Sequence, residues 1–470
     1  MHSIIQNDNK IVIKTDFLKG MTVAPEIYAN RELASVLYKE YENTSKCAFN
    51  QLANIATLPG VKAVCGLPDI HSGYGFPIGS VSGFDVNSGV ICPGGVGYDI
   101  NCGVRSLATN LDINDLVDCK KLLADDLFKT IPSGMSCQSG YKKKFALSDI
   151  NCMLDCGLEY LAKLNIIDQE DILFVENNGK MPGFSQLINQ KAKARGLNQL
   201  ASLGSGNHYL EIQYVSKIFN KEKASLMNIN KEGQILITVH TGSRALGHVT
   251  CQDFIESDQD IMKGYEINGE MGIKYYQAMC SAANYAFCNR ALITELSKNV
   301  FGDKFMHFES SLIYDVCHNI AKKEHLIIDN EKLELLVHRK GASRAFGPFS
   351  ADLPEKYANI GQPILAGGSM GTSSYILLGT EKAMQMTLGS SCHGSGRLLS
   401  RNISHDTFTA ENILEDLQRQ GIELRCGSER GIVEEAPGSY KDIDIVADYC
   451  QEIGISEKIC QVKPVIVIKG

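Results

Sequence analysis

The chain has no tryptophan, only 7% aromatic residues, and no surplus of positive charge: 46 Lys and Arg stand against 54 Asp and Glu, a net charge of −8 over 470 residues. Overall charge therefore cannot drive non-specific nucleic-acid binding, and any such contact must come from local basic clusters. No window approaches the roughly 18 to 20 uncharged apolar residues that span a bilayer. Residues 1–14, broken by Asn, Asp and Lys, lack a signal-peptide core, so a cytoplasmic protein is expected. Pro/Ser linkers, low-complexity tracts and repeats are missing too, and 44% hydrophobic residues exclude disorder. In a reducing compartment the 16 cysteines are expected to be mostly buried small hydrophobes, with a few free to ligate metal. Neither the P-loop pattern nor a dinucleotide G-x-G-x-x-G after a strand occurs, so a nucleotide would need another architecture.

What the chain has in excess is glycine, 43 residues concentrated in short polar loops. Apolar spacing of three and four predicts helices at about 31–39, 112–129, 184–195 and 271–298. Short β-branched or Leu-rich runs at 10–14, 235–239, 333–337, 363–365 and 465–468 predict strands. The expected fold is mixed α/β (α+β): one large domain over residues 1–470, with a central cleft built from strand-end loops.

Five of those loops gather metal-binding or phosphate-binding groups. In 96–103, Asp99 and Cys102 lie three apart, close enough to reach one ion, although a turn Asp beside a buried Cys is the plainer reading. Segment 204–211 (GSGNHYLE) carries an amide, an imidazole and a carboxylate. His240 is expected directly after the strand 235–239, ahead of Thr241-Gly242-Ser243-Arg244. Segment 314–319, with His318, reads as helical. Segment 389–397 sets His393 among small residues that admit phosphates, followed by Arg397. Cys392 and His393 should point to opposite faces of an extended segment, which makes His393 the candidate nucleophile. Together Asp99, Cys102, His208, His240 and His318 form a mixed O/S/N donor set. By softness it suits Zn or Fe and also admits Mn, and its one thiolate could bridge two metals for phosphoryl chemistry.

In order along the chain, these motifs resemble the RtcB family of RNA-splicing ligases. The resemblance runs from about Gly60 to Lys469-Gly470 through 69–79 (DIHSGYGFPIG), the D-x-x-C loop, GSGNHYLE, HTGSRALGH, DVCHNIAK, HRKGASRAFGP, GSMGT, CHGSGR and Glu434-Glu435-Ala436-Pro437. It implies an enzyme with two Mn²⁺ that uses GTP to join a 2′,3′-cyclic phosphate or 3′-phosphate RNA end to a 5′-hydroxyl end, as in tRNA splicing or RNA repair. An archaease-type activator is an implied partner. By resemblance, His393 carries GMP as a phosphoramidate, and Asp99, Cys102, His208, His240 and His318 hold the metals with Cys102 as bridge. Asp69 belongs to a catalytic motif. Around the guanylate the resemblance places Asn207, His208, Tyr209, Leu210, Glu211, His318, Asn319, Gly367, Gly368, Ser369, Met370, Ser374, His393, Gly394, Ser395, Gly396, Tyr440 and Lys469.

A local basic groove for RNA is expected from Arg195, Arg244, Lys340, Arg344, Arg397 and Arg401, with Lys191, Lys193 and Arg339 beside them. Three residues depart from the family pattern: Asn101 and Gly367 stand where Gly and Pro are usual, and Ser395 where Ala is. Asn tolerates the left-handed backbone that a Gly could be serving. The alternative reading is a dinuclear metallo-phosphodiesterase or phosphatase without a covalent intermediate. A non-catalytic RNA-binding subunit is the third.

Overall fold

The computed structural model describes residues 3–134, 145–256, 262, 264–328 and 330–470. Two large, mostly antiparallel sheets organise the chain. The first runs in spatial order Ile4–Gln6, Lys10–Ile13, Glu26–Tyr28, Val61–His71, Ile78–Asp85, Glu331–Lys340, Asn319–Ile328. The second runs Ser310–Cys317, Gly103–Asp112, Gln234–Thr241, Tyr209–Ile218, Ser456–Lys469, Ser374–Gly379, Pro363–Ala366. Glu423–Cys426 joins that second sheet in parallel with Ser456–Lys469. Helices pack around both, which is the mixed α/β class expected. Among the described residues no helix is long and apolar enough to cross a membrane, and every described cysteine is a free thiol.

The strand Gln234–Thr241 is buried at every position, which suits its run of Ile, Leu, Val and Thr. His240 lies inside this strand, two residues longer at that end than the apolar run suggested. The segment 314–319 is not helical. Tyr314 to Cys317 close the strand Ser310–Cys317, and Asn319 opens Asn319–Ile328. His318 is the single residue between them, so the chain crosses from one sheet to the other at a candidate ligand. The predicted helix at 112–129 resolves into a 3-10 turn, Ile113–Leu116, and the helix Lys120–Thr130. That at 184–195 resolves into Ser185–Leu187 and Gln190–Gln199.

The helix Glu270–Lys304 is apolar on nearly all sides through its middle and is correspondingly buried there. Its few polar residues hold loops by their backbones. Asn289 donates to the carbonyls of Ser202 and Gly242, and Arg290 donates to those of Asn101 and Thr241 while pairing with Asp315. The loops that carry the candidate ligands are thus tied to one buried rod.

Glu176 shows how the interior tolerates charge. It is fully buried and accepts from Lys322 Nζ at 2.6 Å and the Cys317 N–H at 2.9 Å, with Arg344 Nε 3.4 Å away. Burial alone would raise its pKa, but the Lys322 and Arg344 cations outweigh it and bring the carboxyl down to about 2. A depressed carboxylate stabilises the fold above its unfolded pKa, and this contribution disappears as pH falls from about 4.5 toward 2. Glu176→Gln, which removes the buried carboxylate that Lys322 and Arg344 share, is expected to cost about 3–5 kcal/mol at neutral pH. Denaturant titrations should show the gap between variant and parent closing below pH 4.5.

Candidate metal and nucleotide site

Four segments converge on Cys102. Its Sγ lies 3.3 Å from His208 Nε2 and 3.3 Å from His240 Nε2. His208 Nε2 is 2.8 Å from Asp99 Oδ2, and His240 Nε2 is 3.2 Å from His318 Nε2. The donors fall into two groups, Asp99–Cys102–His208 and Cys102–His240–His318, each with its atoms within 4.8 Å of one another. The thiol belongs to both.

Local backbone chemistry fixes each donor. Asn101 adopts φ 54°, the left-handed turn anticipated for it, and its side chain donates to the Ala283 carbonyl. A Cβ on Gly242 would stand 2.4 Å from Asp99 Oδ1, so only glycine lets that carboxylate reach the centre. His208 Nδ1 bonds to the Leu203 carbonyl at 2.9 Å, which turns Nε2 toward the other donors.

The electrostatics suit a cation. Burial holds the pKa of His240 and His318 far below the usual imidazole value, so both present neutral nitrogens. Burial, with the charge of Asp99 adding to it, pushes the Cys102 thiol well above its ordinary value. Burial works against the Asp99 charge, but His208 outweighs it and lowers that carboxyl to about 2. Two neutral imidazole nitrogens 3.2 Å apart beside a thiol have lone pairs that a divalent ion would satisfy. The residues therefore fit metal binding, with Cys102 available as a shared ligand.

His393 follows the short strand Ser390–Cys392, which pairs with Ala342–Arg344. Its Nδ1 lies 2.6 Å from Oδ2 of the fully buried Asp69, which also accepts the His393 backbone N–H at 3.1 Å. With Nδ1 engaged, Nε2 is the free nitrogen. The ring lies 4.9 Å from that of His318, next to the metal donors. A Cβ on Gly396, at φ 72°, would sit 2.1 Å from the Asp69 carbonyl, so the segment after His393 presses directly on the one that orients its ring. Gly367 donates its N–H to the His393 carbonyl at 3.2 Å and accepts from Ser395 N at 3.0 Å. A proline at 367 would lack the first of these bonds.

Beside His393 opens a cleft of about 160 Å³ lined by Asn207, Tyr209, Gly367, Gly368, Ser369, Met370, Gly394, Ser395, Gly396, Tyr440 and Lys469, together with His71, Arg397, Arg401 and Glu435. Lys469 Nζ lies 5.9 Å from the Tyr209 ring centroid. Arg397 donates to Tyr440 Oη at 3.0 Å and Glu435 at 3.3 Å, and the Tyr440 hydroxyl donates to Glu435. Sequence reasoning assigned Glu435 no role and left that of Asp69 open. The place of Glu435 in the motif Glu434-Glu435-Ala436-Pro437 was its signal in the sequence. A second cleft of about 680 Å³ lies beyond Tyr440, but it has no His or Cys in its lining.

Several expected nucleotide contacts stand behind the wall of the cleft. Leu210 is fully buried. Glu211 is buried beside Gln213, and its desolvation raises its pKa to about 7. Asn319 is spent on bracing, donating to the Asp99 carbonyl and accepting from Gly341 N. Ser374 accepts from Gly368 N.

The expected basic groove needs larger correction. Arg344 is 2% exposed and paired with Glu176; Arg339 is wholly buried on Glu324; Lys193 is 5% exposed. Lys340, 7% exposed, donates to the carbonyls of Tyr74 and Gly94. None of these four can serve as a surface cation. Arg244 is half-buried, donating to the Gly134 carbonyl and Ser202. Arg195, Arg401 and Lys191 reach the surface, and Arg397 and Arg401 line the cleft.

The comparisons with known proteins agree with one another. The model of the tRNA-splicing ligase RtcB family matches residues 51–470. The RNA-splicing ligase RtcB homolog 1 of Entamoeba histolytica is 44% identical over 98% of this chain and 91% of its own length. The tRNA-splicing ligase RtcB of Methanococcus maripaludis is 44% identical over 92% and 93%, and that of Archaeoglobus fulgidus is 41% identical over 98% of both. A shared thiol between two donor triads, a carboxylate-oriented histidine beside them, and identity sustained along nearly the whole length lead to one conclusion: the chain belongs to the RtcB family of RNA-splicing ligases.

Proposed function

We propose that the chain seals RNA, joining an end that carries a 3′-phosphate or 2′,3′-cyclic phosphate to a 5′-hydroxyl end, with GTP consumed and two Mn²⁺ held by the paired triads. The observation that carries this reading is the 2.6 Å contact between His393 Nδ1 and Asp69. It leaves a nucleophilic nitrogen at the mouth of a glycine-walled cleft, a device that simple hydrolysis does not require.

Asp69 holds the Nδ1–H tautomer, so the Nε2 lone pair of His393 is aimed outward and the imidazolium formed on attack is stabilised. His393 Nε2 forms a bond to the α-phosphorus of GTP as the bond to the β-phosphate oxygen breaks and pyrophosphate leaves. The 3′-phosphate of RNA then takes GMP from His393, and the 5′-hydroxyl attacks that activated phosphate, releasing GMP. A cyclic phosphate is first opened by water. Asp99, Cys102 and His208, and Cys102, His240 and His318, would hold divalent ions that would supply positive charge to the phosphoryl oxygens. Arg397, Arg401 and Lys469 add cations at the cleft, while the backbone of Gly394 to Gly396 gives phosphates close approach.

With α-labelled GTP and Mn²⁺, label should stay with the denatured protein, be lost in acid, and move to RNA when a 3′-phosphate strand is added. Release of free phosphate from that strand, with no label on the protein, would instead support the metallo-phosphatase reading. Asp69→Asn should leave GTP binding nearly intact but slow label transfer by up to about 10⁴-fold, as when the carboxylate of a Ser-His-Asp triad becomes an amide. Single-turnover kinetics separates the two effects.

A further inference from the structure

Three rings form a continuous stack just outside the metal loop. Tyr74 lies on Tyr98 with centroids 5.9 Å apart and planes at 30°, and Tyr98 lies on His248 at 4.7 Å and 23°. They come from three separate segments: the turn between Val61–His71 and Ile78–Asp85, the residue immediately before the ligand Asp99, and the helix Arg244–Glu256. Tyr74 ends the stack and is 62% exposed, so its outer face meets solvent.

An exposed tyrosine alone means little, but the backbone beneath this one is held with unusual care. Gln51, 8% exposed, donates to the Gly73 carbonyl at 2.6 Å and accepts from the Gly73 N–H at 3.0 Å. Lys340, 7% exposed, donates to the Tyr74 carbonyl itself at 2.6 Å. Two buried side chains thus fix a turn whose most prominent product is a flat aromatic face in water. With one face of the ring on Tyr98 and the other left to solvent, the fixed turn presents a flat aromatic surface. At the other end of the stack, Arg244 sits one helical turn before His248.

We propose that Tyr74, Tyr98 and His248 form a stacking platform for an unpaired base close to the RNA end being sealed. This rests on the RNA-ligase reading above. Each base has a π-face, so stacking grips ends of any sequence, which suits an enzyme that meets differing ends. It also resolves how a chain of net charge −8, with four of its expected groove cations buried, holds a polyanion: part of the affinity comes from a contact that carries no charge. Lys340 then serves RNA indirectly, by setting the height of Tyr74.

The test is equilibrium binding of a single-stranded RNA with a 3′-phosphate, without GTP, followed by fluorescence anisotropy at several salt concentrations. Tyr74→Ala should weaken binding about tenfold while leaving the slope of log affinity against log salt unchanged, and Tyr74→Trp should restore it. An abasic nucleotide walked inward from each end should weaken binding to the parent protein at one position, and that position should have no further effect in Tyr74→Ala. Because the ring is exposed, the variant should melt with the parent. Parent-like affinity in Tyr74→Ala, a Trp variant no tighter than the Ala one, or an abasic penalty undiminished in the variant would each overturn the platform alone. Failure of the parent protein to bind the RNA at any salt would overturn the ligase reading and the platform with it.

Discussion

His393→Ala is expected to abolish the GMP adduct completely while leaving the metal content of the protein unchanged. Among the described histidines that line the cleft, only His393 is oriented by a carboxylate: His71 Nδ1 faces the Asp69 backbone carbonyl and burial lowers its pKa to about 3, while His240 Nε2 is turned to Cys102 and His318. Neither donor triad includes His393, so Mn²⁺ should remain bound and the fold should be undisturbed. Sealing of an RNA strand that already carries GMP on its 3′-phosphate should survive, since only the final displacement then remains. Gel transfer of labelled GTP, metal analysis and ligation of pre-activated RNA make one experiment with three separate readings. A residual adduct in the variant would move the nucleophile elsewhere.

Cys102→Ala should be as severe for a different reason. The thiol is the one donor common to both triads, so the substitution reduces each from three protein ligands to two. Loss of both ions is expected, and with them every step from adduct formation to sealing. His318→Ala, which removes a donor from one triad only, should leave one ion per chain. Metal analysis after dialysis distinguishes the cases; equal losses in the two variants would argue against a shared thiolate. Loading should also strengthen as pH rises, because burial keeps the Cys102 thiol protonated well above its ordinary pKa and binding must release that proton.

Much of the site was legible because its chemistry depends on residue type in fixed order. Asp99, Cys102, His208 and His393 lie in glycine-hinged loops whose sequence states what they carry. The strand at His318 was not legible. Asp315 sits wholly buried between Arg105 and Arg290, so its charge imitates the polar face of a surface helix when only neighbours in sequence are considered. Part of the basic groove, Lys193, Arg339, Lys340 and Arg344, was misjudged likewise. Arg339 and Arg344 look like phosphate ligands until Glu324, across a hairpin from Arg339, and Glu176, far back along the chain from Arg344, take them into the core. Burial partners far along the chain decide whether a cation faces water, and no local pattern encodes them. Asp69 shows the same gap to opposite effect, since its meaning depends on a residue brought to it only by the fold.

The centre also sets a timetable for synthesis. Asp69 waits for His393, 324 residues later, and the strand Tyr209–Ile218 waits for Ser456–Lys469, its contacts reaching 245 residues ahead at Ser216 and Gln461. At about 5–20 residues per second this leaves an apolar strand edge open for roughly 12–50 s on the ribosome. A growing chain therefore cannot seal RNA while it is being translated, and it presents a sticky intermediate that chaperones are expected to shield until the last partner strand emerges.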